Sequence, residues 1–411
     1  MFKKTGVVLA LVILGALSLF LVDCGSSSSR PSGLLYVLSQ EESNVSSYAV
    51  DLGSGNLSLI NSNAATCPSG TPCGPPLQIS LDPQGKTAFV LNQGSISAYT
   101  VNSDGSLTLS STPAATFATG ETALGMTRDA AGDLLFVITN APAIYVYSTN
   151  PGSTSATLTS TISSTSNPPL TRVPTALSAI TYTPTGASSA ETVLFVTSSQ
   201  DLRQPPNDNT LGVYAADSSG NWTEQPNSPY STLVNPTAVL AVNTTPPGQP
   251  GAGAIFVYVG NTPSTGGDVS AFELCSQVTP PQCQQADVDN HLLYAVGVPS
   301  GVGQHPIAML VDPTNTFLYI ACNGSNQVYG FSMGTASGKL TALTPPYQPT
   351  GTEPVALAMH GGINTNSEFL YSSNNLSSTI TGWPVVATTG SLGNPITVQF
   401  PPGSPYGMAG R

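Results

Sequence analysis

Charge is scarce in this chain. Only 7% of its 411 residues are charged, and nine basic against 21 acidic side chains leave a formal net charge of −12. A surface of that sign and sparseness carries no footprint for a phosphate backbone, which excludes nucleic acid as a partner. Helical periodicity is also missing past the first few turns of the sequence. No Gly-x-Ser-x-Gly elbow joins a strand to a helix, and no glycine-rich phosphate loop occurs. Histidine is limited to three residues, none spaced from cysteine or carboxylate as metal ligands would be, so neither a metal nor a cofactor is expected.

What remains is a hydrophobic fraction of 40% with abundant Ser, Thr, Asn, Gly and Pro. That fraction fills a core, so the chain is not a disordered polymer, and the polar uncharged remainder suits an all-β protein outside the cytoplasm. The start points the same way. Lys3 and Lys4 precede an apolar run, Gly6 to Val22, of the kind found in secretory signals and marginal in length for a membrane span. Leu21-Val22-Asp23-Cys24 is similar to a bacterial lipobox, in which Cys24 would be lipidated. Asp23 departs from the small residue usual there, which leaves an ordinary signal or an uncleaved anchor as alternatives. The expected organisation is a signal at 1–24, a serine-rich tether at 25–33 that lifts the fold off the membrane, and one domain at 34–411.

Of the other cysteines, four form two close pairs, Cys67 with Cys73 and Cys275 with Cys283. Local disulfides that pin long loops suit an oxidising space. Cys322 is left over, inside an apolar strand, and reads as a buried thiol.

The stretch Gln304–Thr341 shows the unit from which the domain is built. Ile307 to Val311 is a short strand, Asp312-Pro313-Thr314-Asn315 a turn, Phe317 to Ala321 a second strand and Gln327 to Met333 a third. Ser337-Gly338-Lys339 then turns into a fourth beginning at Leu340. The second strand recurs around Tyr36, Phe89, Phe136, Phe195, Phe256, Tyr319 and Tyr371, which gives seven units at a loose period above 45 residues. The first unit lacks its opening strand. The segment Ser404 to Ala409 looks like a spare one, so the tail is expected to complete the first unit and close a ring. The fold class is therefore all-β, a seven-bladed propeller of four-stranded antiparallel blades.

The recurring pattern Pro-x-x-apolar, Asp-Pro-x-Gly, Tyr/Phe-Val-x-Asn, Ser/Asn-x-Val-x-x-Tyr/Phe and Ser/Thr-Gly-x-Leu-Thr resembles the seven-bladed lactonase family, which includes 6-phosphogluconolactonase-like proteins. The resemblance covers essentially everything after Gly33. It implies the fold and, as an activity, lactone hydrolysis. The His-rich strand start and the Asp-Leu-Gly-type element of enzymatic members do not occur together in any repeat, and Asn235 and Asn261 stand at comparable places.

In such a ring the residue before each opening strand faces the channel mouth: Pro75, Thr122, Val173 or nearby Arg172, Asn235, His305, Glu353 and Ser404. His305 and Glu353 fall at one register in adjacent blades, where an imidazole oriented by a carboxylate could serve as general base for water. Arg172 and Glu121 could meet a polar ligand, and Asn92, Asn140, Asn261, Asn323 and Asn374 end the second strands on the same side. Against this stands the plainer reading that these are solvated rim residues and turn asparagines bonded to their own backbone. The inserts Ser198–Thr210 and Gly260–Asp268 share that face without the spaced aspartates of a calcium loop. His360 and His291 read as surface residues. Two functions follow. One is a monomeric, lipid-anchored protein that holds a small molecule, glycan or protein partner at the mouth, favoured by the sparse ionisable groups there. The other is a lactonase-like hydrolase using His305 and Glu353, with Asn323, Asn374 or Arg172 holding the oxyanion.

Overall fold

The computed structural model describes residues 33–411 apart from 167–168, 185–186, 202–208, 218, 245–252, 279–281, 361–367 and 401–402. The signal-like segment, Cys24 and most of the serine tether lie outside the described residues. Seven antiparallel sheets follow one another along the chain, each with a four-strand path from the channel outward. The sixth blade is the plainest: Pro306–Val311, Phe317–Cys322, Gln327–Met333 and Leu340–Pro349, paired in sequence order. Its first turn is shaped by the buried Asp312, whose carboxylate accepts the amides of Thr316 at 2.7 Å and Phe317 at 2.6 Å. Asp82 does the same for Lys86 at 2.6 Å, and Asp129 for Leu134 at 2.8 Å. An aspartate that caps its own turn explains why Asp recurs there in a chain so poor in charge.

The first blade runs Leu57–Ala65, Asn44–Val50, Leu34–Ser39 and then Pro405–Gly410 as its innermost strand. The tail therefore completes it, with Tyr36 opposite Ala409 and Val37 opposite Met408. Leu34 and Arg411 exchange both backbone hydrogen bonds, at 3.0 and 2.9 Å, and the Arg411 guanidinium donates to the Gly85 carbonyl of the second blade at 2.7 Å. Each inner strand touches the next, and the circle closes through Pro405–Gly410.

Blades are joined by a repeated latch. Tyr36, Tyr258, Tyr319 and Tyr371 each donate a phenolic hydrogen bond to a glycine carbonyl in the following blade: Gly105 at 3.0 Å, Gly338 at 3.0 Å, Gly390 at 2.6 Å and Gly55 at 2.8 Å. The acceptors turn the third strand into the fourth with φ of +61° to +88°. Each sits on the side chain two residues before the tyrosine, so that a Cβ would come within 2.4 Å of Leu34, Phe256, Phe317 or Phe369. Only glycine satisfies both the dihedral and the approach. The register makes Tyr258 the fifth blade's counterpart of Tyr319, since Tyr258 precedes Asn261 by three residues as Tyr319 precedes Cys322. Phe256 instead supplies the platform beneath the glycine. Where the latch position is phenylalanine, other contacts replace the hydroxyl: the Arg128 guanidinium lies 4.8 Å over Phe89, and Trp222 packs edge-on to Phe136 at 4.9 Å.

Departures from the repeat are local. The third blade's outer strand is a full Ala156–Ser163 strand. In the fifth blade the cysteine loop leads through a short helix, Gln285–Asp289, to edge strands Leu293–Ala295 and Ser300–Val302. Cys67–Cys73 and Cys275–Cys283 are both bonded, and Cys322 is a buried free thiol whose pKa burial raises to about 12. His291 and His360 are buried, contrary to the surface position expected from their loops. His360 occupies the turn-aspartate register, and its imidazole lies where the Gly33 backbone crosses the first blade's end. Neither ring nitrogen completes a hydrogen bond among the described residues. Burial pushes its pKa down, partly offset by the Arg411 backbone.

Two measurements check this packing. Tyr319→Phe should lower unfolding stability by about 1–2 kcal/mol in denaturant titration, because the Gly390 carbonyl is left buried and unpaired. Gly390→Ala should cost at least as much, through strain and contact with Phe317. The second concerns pH. The folded state keeps His360 neutral where the unfolded chain takes up a proton, below about pH 6.5. Its contribution is complete above that value and is lost as pH falls. The melting temperature of His360→Phe should therefore decline less than wild type between neutral pH and mild acid, with no loss at neutral pH.

Candidate active site at the channel mouth

Proline opens five of the seven inner strands, at Pro76, Pro236, Pro306, Pro354 and Pro405; Ala123 opens another, and the remaining one carries Pro174 as its third residue. Proline has no amide to give the ladder, and each of these residues stands at or next to a break in register. The residue that follows, Leu77, Leu124, Thr175, Thr237, Ile307 or Val355, is skipped by the pairing, and in the closing strand Tyr406 and Gly407 are skipped together. This sevenfold bulge aims one side chain per blade into the channel, a cavity of about 350 Å³ on the ring axis.

On the rim above it, Asn235, His305 and Glu353 precede their prolines with φ of 54°, 54° and 61°. For residues other than glycine that left-handed conformation is strained by roughly 1–2 kcal/mol, and here it is held by hydrogen bonds. The Asn235 amide donates to Asn209 Oδ1 at 2.8 Å, and the Glu353 amide to Asn326 Oδ1 at 2.8 Å. The carbonyls of His305 and Glu353 accept the amides of Asn323 and Asn375, each at 2.9 Å. Three successive blades thus present the same locked rim. His305 is exposed and Glu353 half-buried. No hydrogen bond or ion pair joins their side chains among the described residues. Glu353 does bear on Tyr406, whose pKa is raised by burial and then by that carboxylate.

Other expected mouth residues are engaged elsewhere. Arg172 is buried, its guanidinium paired with Glu224, which also accepts the Ser228 hydroxyl at 2.8 Å. The reason is the entry of the fourth inner strand, which begins two residues before Pro174 and reaches the cleft beneath Tyr214. Glu121 accepts the hydroxyls of Thr139 at 2.5 Å and Tyr145 at 2.9 Å. Burial, then that carboxylate, push Tyr145 up to about 12.

The five asparagines fall into two sets. Asn92, Asn261 and Asn374 share one register opposite the inner prolines and are fully buried. Their amides tie the second strand to the third: Asn92 to Ser97 Oγ at 3.0 Å, Asn261 to Ser270 Oγ at 3.0 Å, and Asn374 to Thr381 Oγ1 at 2.9 Å. Asn140 and Asn323 lie one residue further on. Asn140 Oδ1 accepts the Thr122 amide at 2.8 Å, whereas the Asn323 side chain makes no hydrogen bond among the described residues and its backbone amide donates to the His305 carbonyl. Sequence reading missed Asn209 and Asn326 as rim locks, Tyr406 as the polar lining residue, and the bulge itself. The prolines were the available signal for it.

A larger cavity, about 760 Å³, lies away from the channel, between the fourth blade and the disulfide-pinned loop. There His291 Nε2 is 3.1 Å from Glu191 Oε2 and Nδ1 3.2 Å from Gln225 Oε1. These contacts anchor the loop.

Residues 253–409 match the family described as lactonase, seven-bladed β-propeller. No curated protein sequence matches the chain. Among solved structures, the Pseudomonas aeruginosa periplasmic gluconolactonase superposes with a TM-score of 0.61 at 16% identity, over 92% of this chain and 98% of that one. A candidate 6-phosphogluconolactonase from Bacteroides uniformis gives 0.61 at 13%, over 92% and 99%. Another from Bacteroides fragilis gives 0.54 at 18%, over 80% and 84%.

Proposed function

We propose that this seven-bladed propeller, whose residues 253–409 carry the lactonase-family pattern, is an extracytoplasmic hydrolase that opens a lactone ring at the channel mouth. The observation that carries the reading is the strained, hydrogen-bonded rim that sets His305 and Glu353 at one register in adjacent blades above a ring-axis cavity. Sequence alone favours a binding protein. The family match and the gluconolactonase-like neighbours move the preference to hydrolysis. Two disulfides and a periplasmic neighbour support a location outside the cytoplasm. A lipid anchor at Cys24 is part of the proposal.

In this mechanism His305 takes a proton from water as the water oxygen attacks the lactone carbonyl carbon. The ring C–O bond then breaks and the departing alkoxide recovers the proton from the imidazolium, giving a hydroxy acid. Glu353 stabilises the imidazolium through its field, and with Arg172 and Asn374 committed to internal bonds, the Asn323 amide is the side chain left to hold the oxyanion.

A panel of γ- and δ-lactones assayed by acid release tests this. Wild type should turn over at least one, and His305→Asn, which keeps the left-handed backbone, should lower kcat by about 10²-fold or more without moving the melting temperature. Glu353→Gln should reduce kcat by a smaller factor. Absence of turnover by wild type, or an unchanged rate in His305→Asn, would leave the binding protein as the better description.

A further inference from the structure

We propose that the lactone taken by this site carries a hydrocarbon substituent, alkyl or aryl, which enters the channel while the ring stays at the mouth. The inference rests on the hydrolase reading for the chemistry and on the bulged layer for the selectivity. Leu77, Leu124, Ile307 and Val355 contribute four apolar side chains to that layer. Leu124 and Ile307 remain 41% and 40% exposed, although each follows a buried strand-opening residue and lies at the centre of the ring. Both line the channel cavity.

Two of the three polar members of the layer, both threonines, do not change its character. Thr175 Oγ1 donates to the Pro236 carbonyl at 2.8 Å, and Thr237 Oγ1 to the Pro306 carbonyl at 2.6 Å. Both hydroxyls are therefore turned into the junction with the next blade. One residue deeper, the Gln78 amide oxygen accepts the Met126 amide at 2.6 Å. A polyhydroxylated sugar lactone would meet polar groups elsewhere in the lining, Gln78 among them, so the preference rests on the four apolar side chains of the bulged layer, where its hydroxyls find no partner. An alkyl chain loses nothing comparable, and a volume of about 350 Å³ suits a chain rather than a bulky polycycle. Tyr406 is the polar exception in the layer. Its neighbour is Glu353 on the rim, so the polar end of the site coincides with the proposed chemistry and the apolar end with the channel.

The experiment is a homologous series, γ-butyrolactone, γ-octanolactone and γ-decanolactone, set against δ-gluconolactone. Wild-type kcat/KM should rise about fourfold per added methylene, mainly through KM, until the channel is filled, and should exceed the gluconolactone value at the long end. Leu124→Asn and Ile307→Asn should flatten the series while melting at the wild-type temperature. A series flat with chain length in wild type, or gluconolactone the best substrate, would overturn the inference and leave the hydrolase standing. If no lactone is hydrolysed, fluorescence of N-phenyl-1-naphthylamine separates the two ideas. Saturable enhancement that γ-decanolactone displaces and δ-gluconolactone does not supports the apolar channel without the chemistry. No enhancement with wild type overturns it.

Discussion

A four-stranded blade with two apolar faces is unstable by itself, and every other property of this molecule follows from the need to cover both. Each sheet is covered by its two neighbours, so the only arrangement without a bare face is a ring. The ring is held shut by antiparallel pairing of Leu34–Ser39 with Pro405–Gly410. The tyrosine-to-glycine latches act on the same surfaces. They satisfy a buried carbonyl and a buried phenol together, and at four of the seven junctions they tie one blade to the next.

The site is a by-product of the same repetition. Proline starts an inner strand without an amide, a bulge follows, and the residue beyond it is thrown toward the axis. Copied around the circle, this produces a lining whose composition is set one residue per blade. The rim is set likewise by the residue before the proline, but there only three successive blades hold the left-handed conformation. Asymmetry enters an otherwise repetitive object at Asn235, His305 and Glu353, and a site that distinguishes one ligand orientation from another requires asymmetry.

Much of this was legible in the sequence because the fold is written seven times. The Asp-Pro turns, the spare strand at Ser404–Ala409 and the two cysteine pairs each have a local cause, and each is found as read. What was not legible depends on register between strands. Phe256 and Tyr258 are two apolar aromatics on one face of one strand, and only pairing to the inner strand shows which meets a glycine and which donates a hydrogen bond. Asn92 and Asn323 end similar strands, yet one is buried within a hairpin and the other bonds through its backbone amide to the His305 carbonyl, because they differ by a single position. Arg172 and Glu121 were read as free charges at an opening. In a chain with so few charges each has found an internal partner instead, which spares it an unpaired place in a low-dielectric setting. His291 and His360 were misplaced for another reason: His291 is packed against Glu191 and Gln225 of the fourth blade, and His360, the last residue of an inner strand, lies against the Gly33 backbone.

The Arg411 guanidinium grips the Gly85 carbonyl, and its backbone is tied to Leu34. Strands from opposite ends of the repeat array are thus partners in one sheet, and the first blade keeps a bare inner edge until Pro405–Gly410 docks on it. Closure of the circle is consequently a long-range event, because the pairing that shuts it joins segments separated by nearly all the other blades.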